Sequence, residues 1–125
     1  MINIKIKTIP PGNLPYNRVG DWHWEGEKLF ISVNDMGDER YEWLIAIHEI
    51  SEAFLCKMNG VTEESIDSFD KTVNGKWTPN GPGYKEHLIS TGIESILAGV
   101  TGIIWDKYEE AIQDSNHEER RERKI

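Results

Sequence analysis

The first part of the chain alternates apolar and polar residues, the spacing typical of β-strands. Over residues 2–7 (INIKIK) each isoleucine is followed by a polar residue, which predicts a half-buried strand whose lysines face water. A loop containing three prolines follows at 10–15. Two further alternating runs flank Gly26 and predict a β-hairpin over about 20–33.

From Asp38 onward the apolar residues recur at helical spacing. Asp38 is an N-cap candidate for a helix over about 39–58, which Asn59-Gly60 terminates. The predicted buried stripe of this helix consists of Leu44, Ile47, Ile50, Phe54 and Met58. A shorter helix begins after the cap candidate Thr62. Two more helices are predicted over about 84–98, with apolar Ile89, Ile93, Ile96 and Leu97, and over about 105–113.

Strands followed by helices predict the α+β class. The expected architecture is a small antiparallel sheet, made of the N-terminal strand and the hairpin, followed by three to four helices. The length of 125 residues fits one domain, which we place at 1–115. Residues 116–125 interleave Arg and Lys with Glu, which predicts a charged, disordered C-terminal tail.

Composition excludes several classes of function. The net charge of −8 argues against nucleic-acid binding, which requires a basic surface. No segment approaches the length of a membrane span, and the N-terminus lacks a signal-peptide pattern. Cys56 is the only cysteine, which fits a reducing compartment. We therefore expect a cytoplasmic protein of a bacterium or phage-infected host, without nucleic-acid or membrane partners and with an oligomeric state that the sequence does not indicate.

The stretch HEISE at 48–52 carries the strongest chemical signal. On a helix, His48 and Glu52 lie four residues apart and project from one face, with Glu49 beside them. In the zinc-hydrolase motif HExxH, two histidines at this spacing hold the metal and the glutamate is the general base. Here Glu52 replaces the second histidine. A solvent-exposed helix face would also explain these polar residues.

A second polar stripe lies on the predicted third helix, where His87 and Glu94 share one face. Two histidines and one glutamate are a known ligand set for catalytic zinc. We predict that His48, Glu52 and His87 bind Zn²⁺ or another divalent metal. Glu94 is then either a fourth ligand, which would close the site, or an acceptor that orients His87.

Glu49 would be the general base of an active enzyme. It would take a proton from a water whose pKa the metal lowers, and that water would attack the carbonyl of a peptide or protein substrate. Asp67 and Asp70 are predicted either as outer carboxylates of the metal site or as partners of helix ends and lysines. Trp77, in the loop NGKWTPNGPG, would cover a cleft or fill a surface gap.

The motif helix after a small sheet resembles the zincin metallopeptidases, in which an edge strand borders the cleft and the motif helix forms its floor. The segments HEISEAFLCKMNGVTEESIDSFD, GYKEHLISTGIES and WDKYEEA are similar to small uncharacterised proteins of phages and bacteria. This similarity spans roughly residues 40–112 and covers the predicted site residues: His48, Glu49, Glu52, Asp67, Asp70, His87 and Glu94. It implies a shared site rather than a named reaction.

The leading hypothesis is a zincin-like metal-binding domain that acts as a zinc-dependent, peptidase-like hydrolase. The alternative is a non-catalytic phage-associated structural or interaction protein, whose metal site is structural or vestigial. A metal-free helical module would leave the paired His/Glu helices unexplained.

Overall fold

A computed structural model describes residues 1–76 and 78–122, with side chains described up to Ser115. Trp77, predicted above as a lid or gap-filling residue, therefore lies outside the described residues. A 3₁₀ turn occupies Pro15–Asn17. The elements are β1 (Asn3–Ile9), β2 (Gly20–Glu25), β3 (Lys28–Asn34), α1 (Glu39–Met58), α2 (Glu63–Val73), α3 (Tyr84–Val100) and α4 (Trp105–Glu122).

The sheet confirms the α+β class but differs from the prediction in one pairing. The hairpin β2–β3 is antiparallel, as predicted, and turns at Gly26 with φ of 60°. The prediction of a wholly antiparallel sheet is wrong for β1, which pairs parallel to β3 in the order β1-β3-β2. Ile9 and Gly20 both lie beside the last residues of β3. The proline-containing loop therefore crosses only the end of that strand, and β3 becomes central.

Helix α1 packs against β2, β3 and α3, and these contacts determine which residues are buried. Leu29, Ile31 and Val33 of β3 are buried beneath it. Ile4 and Ile6 share the register of Leu29 and Ile31, but they lie at the sheet edge and are 39% and 43% exposed. The prediction that β1 is half-buried is therefore wrong, because the helix does not cover this edge.

The predicted buried stripe of α1 is also wrong in part. Leu44 is buried, but Phe54 and Met58 are 55% and 62% exposed. The buried positions beyond the middle of the helix are instead His48, Glu52, Ala53 and Cys56. The polar members of this set face α3 rather than water, so the motif is not a solvent-exposed helix face. Capping by Asp38, whose side chain accepts from the N–H of Arg40, is confirmed.

Helix α3 turns its polar stripe inward. Its buried residues are Glu86, Ser90, Glu94 and Ala98, whereas Ile89 and Ile96 are 44% and 68% exposed. Two of the four apolar residues named above for this helix are therefore exposed. Polar burial of this kind is costly unless each group finds a partner. The partners of Glu94 come from α1 and α4. Glu86 accepts from Asn59, just after α1, and Ser90 donates to the carbonyl oxygen of Glu86 within α3.

Helix α4 is longer than predicted. It continues past Gln113 to Glu122, so part of the segment predicted as a disordered tail is helical. Residues 123–125 of that predicted tail lie outside the described residues. Tyr108 of α4 has no exposed surface. Trp105 and Ile112 of the same helix are partly buried and also pack against the core.

Candidate metal centre

His48, Glu52 and His87 meet between α1 and α3. His48 and Glu52 lie one turn apart on α1, 7% and 6% exposed, and His87 lies in the first turn of α3. Nε2 of His48 is 2.9 Å from Oε2 of Glu52 and 3.2 Å from Nδ1 of His87. The same Glu52 oxygen is 3.2 Å from Nδ1 of His87. We call these three residues the tripod.

The dimensions of the tripod fit a small divalent ion. Its three atoms form a triangle with sides of 2.9–3.2 Å. A tetrahedral zinc ion with bonds of about 2.0–2.1 Å holds its ligand atoms about 3.3–3.4 Å apart. A movement of a few tenths of an ångström therefore suffices. Among the described residues, the tripod is the one group of three His, Cys, Asp or Glu side chains whose ligand atoms lie within 4.8 Å of one another.

The charges of the tripod require a proton or a metal at its centre. Burial disfavours protonated His48, but its hydrogen bonds to Glu52 and Glu94 outweigh burial and raise the pKa of His48 to about 10. Burial likewise works against ionised Glu52, yet contacts with His48 and His87 lower the pKa of Glu52 to about 2. Without metal, a proton on His48 therefore faces an ionised Glu52.

Glu94 contacts the far side of His48. Its Oε1 lies 2.6 Å from Nδ1 of His48, the ring nitrogen that points away from the tripod. The prediction placed such an acceptor on His87, whereas this hydrogen bond of Glu94 is to His48. A carboxylate on Nδ1 fixes the ring and leaves Nε2 for a metal.

Two side chains that the sequence analysis missed complete the surroundings. Trp22 Nε1 donates to Oε1 of Glu52 at 3.3 Å, and the hydroxyl of Tyr108 donates to Oε2 of Glu94. Burial, together with the neighbouring Glu94, raises the pKa of Tyr108, so its hydroxyl keeps its proton. A signal was available: Trp105, Tyr108 and Ile112 follow helical spacing, and a buried tyrosine hydroxyl usually has a partner.

Glu49 lies beside the tripod and lines cavities on both sides of it. The first cavity, of about 210 Å³, runs between β2 and α2, and its wall includes Glu52 and His87. The second, of about 230 Å³, is lined by His48, His87 and apolar side chains of α4. Burial, with the charge of Glu52 adding to it, raises the pKa of Glu49 well above its ordinary value. A carboxylate held in this way is a better proton acceptor than one in water.

The first cavity, called the acidic cavity below, holds more carboxylates than cations. Arg18, in its wall, is paired at 2.6 Å with Asp70. Asp67 lines the cavity and is exposed, so of the two predicted outer carboxylates Asp67 faces the opening and Asp70 holds Arg18. Burial raises the pKa of Asp21, and the nearby Asp67 adds to this rise.

The edge of β2 borders the acidic cavity. The N–H of Trp24 donates to Glu63 of α2 at 3.1 Å, outside the sheet. Because N–H and C=O groups alternate in direction along an antiparallel strand, Gly20 and Trp22 point their main-chain groups toward the same side. A Cβ on Gly20 would lie 2.7 Å from Cγ2 of Ile45 and 2.9 Å from Oε1 of Glu49, so a side chain here would crowd α1. The edge strand thus passes close to Glu49, and its Trp22 contacts the tripod through Glu52.

Two other residues with reactive side chains, Cys56 and His23, lie outside the tripod. Cys56 is completely buried, and burial raises the pKa of its thiol to about 12. His23 is on the outer face of β2, 2.8 Å from Glu63.

Comparisons of the chain with protein-family models, curated proteins and solved structures give no match. Within the described residues, no helix has the length and apolar composition needed to cross a bilayer.

Proposed function

We propose that this protein is a zincin-like metal-dependent hydrolase whose tripod of His48, Glu52 and His87 binds one divalent ion, with Zn²⁺ as the expected metal. The observation that carries the proposal is the triangle of ligand atoms with sides of 2.9–3.2 Å. Two imidazoles and one carboxylate suit zinc better than Mg²⁺ or Ca²⁺, which prefer oxygen ligands. When bound, zinc would supply a Lewis acid that polarises a carbonyl and lowers the pKa of a water.

Among the described residues the tripod would offer three ligands, with a cavity beside two of them, and this supports hydrolysis over a purely structural metal site. Structural zinc is normally held by four protein ligands, whereas catalytic zinc keeps one position for water or substrate. Glu94 approaches Nδ1 of His48 at 2.6 Å and so lies behind the ring, not beside the tripod. The acidic cavity opens next to Glu52 and His87 on the other side.

Glu49 is the proposed general base. It lines the acidic cavity together with two tripod residues, and its carboxylate is held near the edge strand β2. In this position it would accept the proton of an attacking water and then deliver it to the leaving group. The bordering edge of β2 supports an extended peptide as the substrate, because such a chain forms main-chain hydrogen bonds along a strand edge.

Elemental analysis after reconstitution tests the proposal. Wild-type protein, stripped with a chelator and dialysed against zinc, is expected to retain one ion per chain. His48→Ala and His87→Ala should lose it, whereas His23→Ala, which removes a histidine from outside the tripod, should keep it. Absence of stoichiometric metal from folded wild-type protein would overturn the proposal. Stoichiometric metal without any peptide hydrolysis would instead favour the structural or interaction role.

A further inference from the structure

A chain of hydrogen bonds links α4 to the tripod. The hydroxyl of Tyr108 donates to one carboxylate oxygen of Glu94, and the other oxygen lies 2.6 Å from Nδ1 of His48. All three side chains are buried, with exposures of 0%, 6% and 7% for Tyr108, Glu94 and His48. Three helices therefore meet in one polar line that ends at a proposed metal ligand.

The ring of Tyr108 is fixed independently of its hydroxyl. It packs against Tyr41 of α1 and Trp105 of α4, each with a centroid separation of 5.3 Å. The hydroxyl consequently reaches Glu94 from a set direction. A buried carboxylate needs donors for both oxygens, and a donor on one of them restricts rotation of the other. Tyr108 thus limits where Glu94 can hold His48.

We infer that Tyr108 is a positioning residue of the metal centre, acting through Glu94 to keep His48 with Nδ1 protonated and Nε2 directed at Glu52 and His87. This inference rests on the proposed function, since it assigns a role toward the ion that the tripod would hold. It also gives α4 a part in the site, although α4 supplies none of the three ligands. Mutation of residues that hold metal ligands in place typically lowers metal affinity 10- to 100-fold.

A double-mutant cycle on zinc affinity tests the inference. The variants are Tyr108→Phe, Glu94→Leu and the double variant, with affinity measured by competition against a chromophoric chelator. Tyr108→Phe is expected to weaken zinc binding about 10-fold. In the Glu94→Leu background the same substitution should have no further effect, because the link to His48 is already broken. Tyr41→Phe is the matched control, since it removes a neighbouring tyrosine hydroxyl outside this chain of hydrogen bonds.

A second measurement uses the metal-free protein, so it does not depend on zinc. With ¹⁵N-labelled histidine, NMR should show a slowly exchanging Nδ1–H proton of His48, hydrogen-bonded to Glu94. We expect Tyr108→Phe to shift this signal and speed its exchange, and Tyr41→Phe to leave it unchanged. A tyrosine that only fills space would not produce this difference. Should Glu94→Leu fail to fold, the comparison of these two Tyr→Phe variants decides.

The outcomes separate the two claims. Wild-type protein that takes up no zinc overturns the proposed function and this inference together. Zinc in the wild type, with equal affinities for Tyr108→Phe and Tyr41→Phe, overturns the inference alone. If Tyr108→Phe lowers zinc affinity equally in the wild-type and Glu94→Leu backgrounds, the inference is also overturned, because Tyr108 would then act by packing.

Discussion

Nε2 of His48 and Nδ1 of His87 lie 3.2 Å apart, although 39 positions separate the two residues and each is on a different helix. Both nitrogens also approach the same oxygen of Glu52. Three atoms with lone pairs at these distances repel one another unless a cation or proton lies among them. This juxtaposition turns a five-residue motif into a candidate metal centre, and the following predictions test its parts.

The stability of the metal-free protein should depend on the charges of the tripod. The folded pKa of His48, about 10, exceeds its ordinary 6.5, so its stabilising effect is complete below pH 6.5 and is lost as pH rises toward 10. The folded pKa of Glu52, about 2, lies below its ordinary 4.5, so its contribution is complete above pH 4.5 and is lost as pH falls toward 2.

We therefore expect the free energy of unfolding, measured by urea denaturation in chelator, to decline from about pH 6.5 to pH 10. Glu49 acts in the same direction, because its raised pKa makes ionisation in the folded state unfavourable. His48→Gln cannot titrate and should reduce the decline. A wild-type stability that increases between pH 7 and pH 9 would contradict this account.

Glu49→Gln should separate metal binding from catalysis. The amide keeps the shape of the side chain but cannot accept a proton as the carboxylate does, so peptide hydrolysis should fall about 10²- to 10⁴-fold. Bound zinc, measured by elemental analysis, should remain stoichiometric because Glu49 is outside the tripod. Glu63→Gln, in the wall of the same cavity, is the matched control and should cost far less activity. Equal losses in both variants would argue against Glu49 as the base.

Gly20→Ala should be destabilising by about 1–3 kcal/mol, because the added methyl group overpacks the contact between β2 and α1. Its Cβ would lie 2.7 Å from Cγ2 of Ile45 and 2.9 Å from Oε1 of Glu49. Gly92→Ala is the control, since nothing lies within 4 Å of a Cβ at that exposed helical position. It should stabilise the protein by about 0.5–1 kcal/mol. Chemical denaturation measures both, and a neutral Gly20→Ala would refute the proposed close approach.

Asp70→Ala should lower stability while leaving zinc affinity unchanged. Its carboxylate pairs at 2.6 Å with Arg18, and removal takes a charged hydrogen-bond partner from the guanidinium, at a cost of about 2–3 kcal/mol. Asp67→Ala, at an exposed position of the same helix, should change stability by less than about 0.5 kcal/mol. Zinc competition provides the second readout. A 10-fold loss of zinc affinity in Asp70→Ala would show that Asp70 belongs to the surroundings of the metal.

Local signals in the sequence predicted most of the elements. The alternation over 2–7 and 20–33 predicted three strands, and the caps Asp38 and Thr62 predicted the starts of two helices. In both caps the side chain accepts a hydrogen bond from a backbone N–H of its helix, as expected. The parallel pairing of β1 could not be predicted in this way. Strand order depends on which edge the incoming chain reaches, and alternation within a strand carries no information about it.

The grouping of His48, Glu52 and His87 could be predicted from the sequence, but the side chains around it could not. Spacing along one helix brought His48 and Glu52 together, and a polar stripe on another helix pointed to His87. That Glu94 would contact His48 depends on the rotation of α3 against α1, which tertiary packing decides. Tyr108 and Trp22 reach the site from distant segments, and no local spacing relates them to the motif.

Burial was the least predictable property. The rule that apolar faces turn inward failed for α3, where Ile89 and Ile96 are exposed and Glu86 and Glu94 are buried. Hydrogen bonds from Asn59 to Glu86 and from Tyr108 to Glu94 compensate for that burial. Sequence patterns do not include such partners, because they come from other elements.

Because α3 turns its polar stripe inward, the interface between α1 and α3, called the seam below, is held together by balanced charges and not by apolar packing. Apolar seams tolerate changes of pH and ionic composition, since their attraction has no ionisable parts. A seam that contains His48, Glu52 and Glu94 closes only while protons or a cation neutralise its carboxylates. The stability of the fold therefore depends on the protons or cations available around the protein. Their loss would first weaken the contact between these two helices.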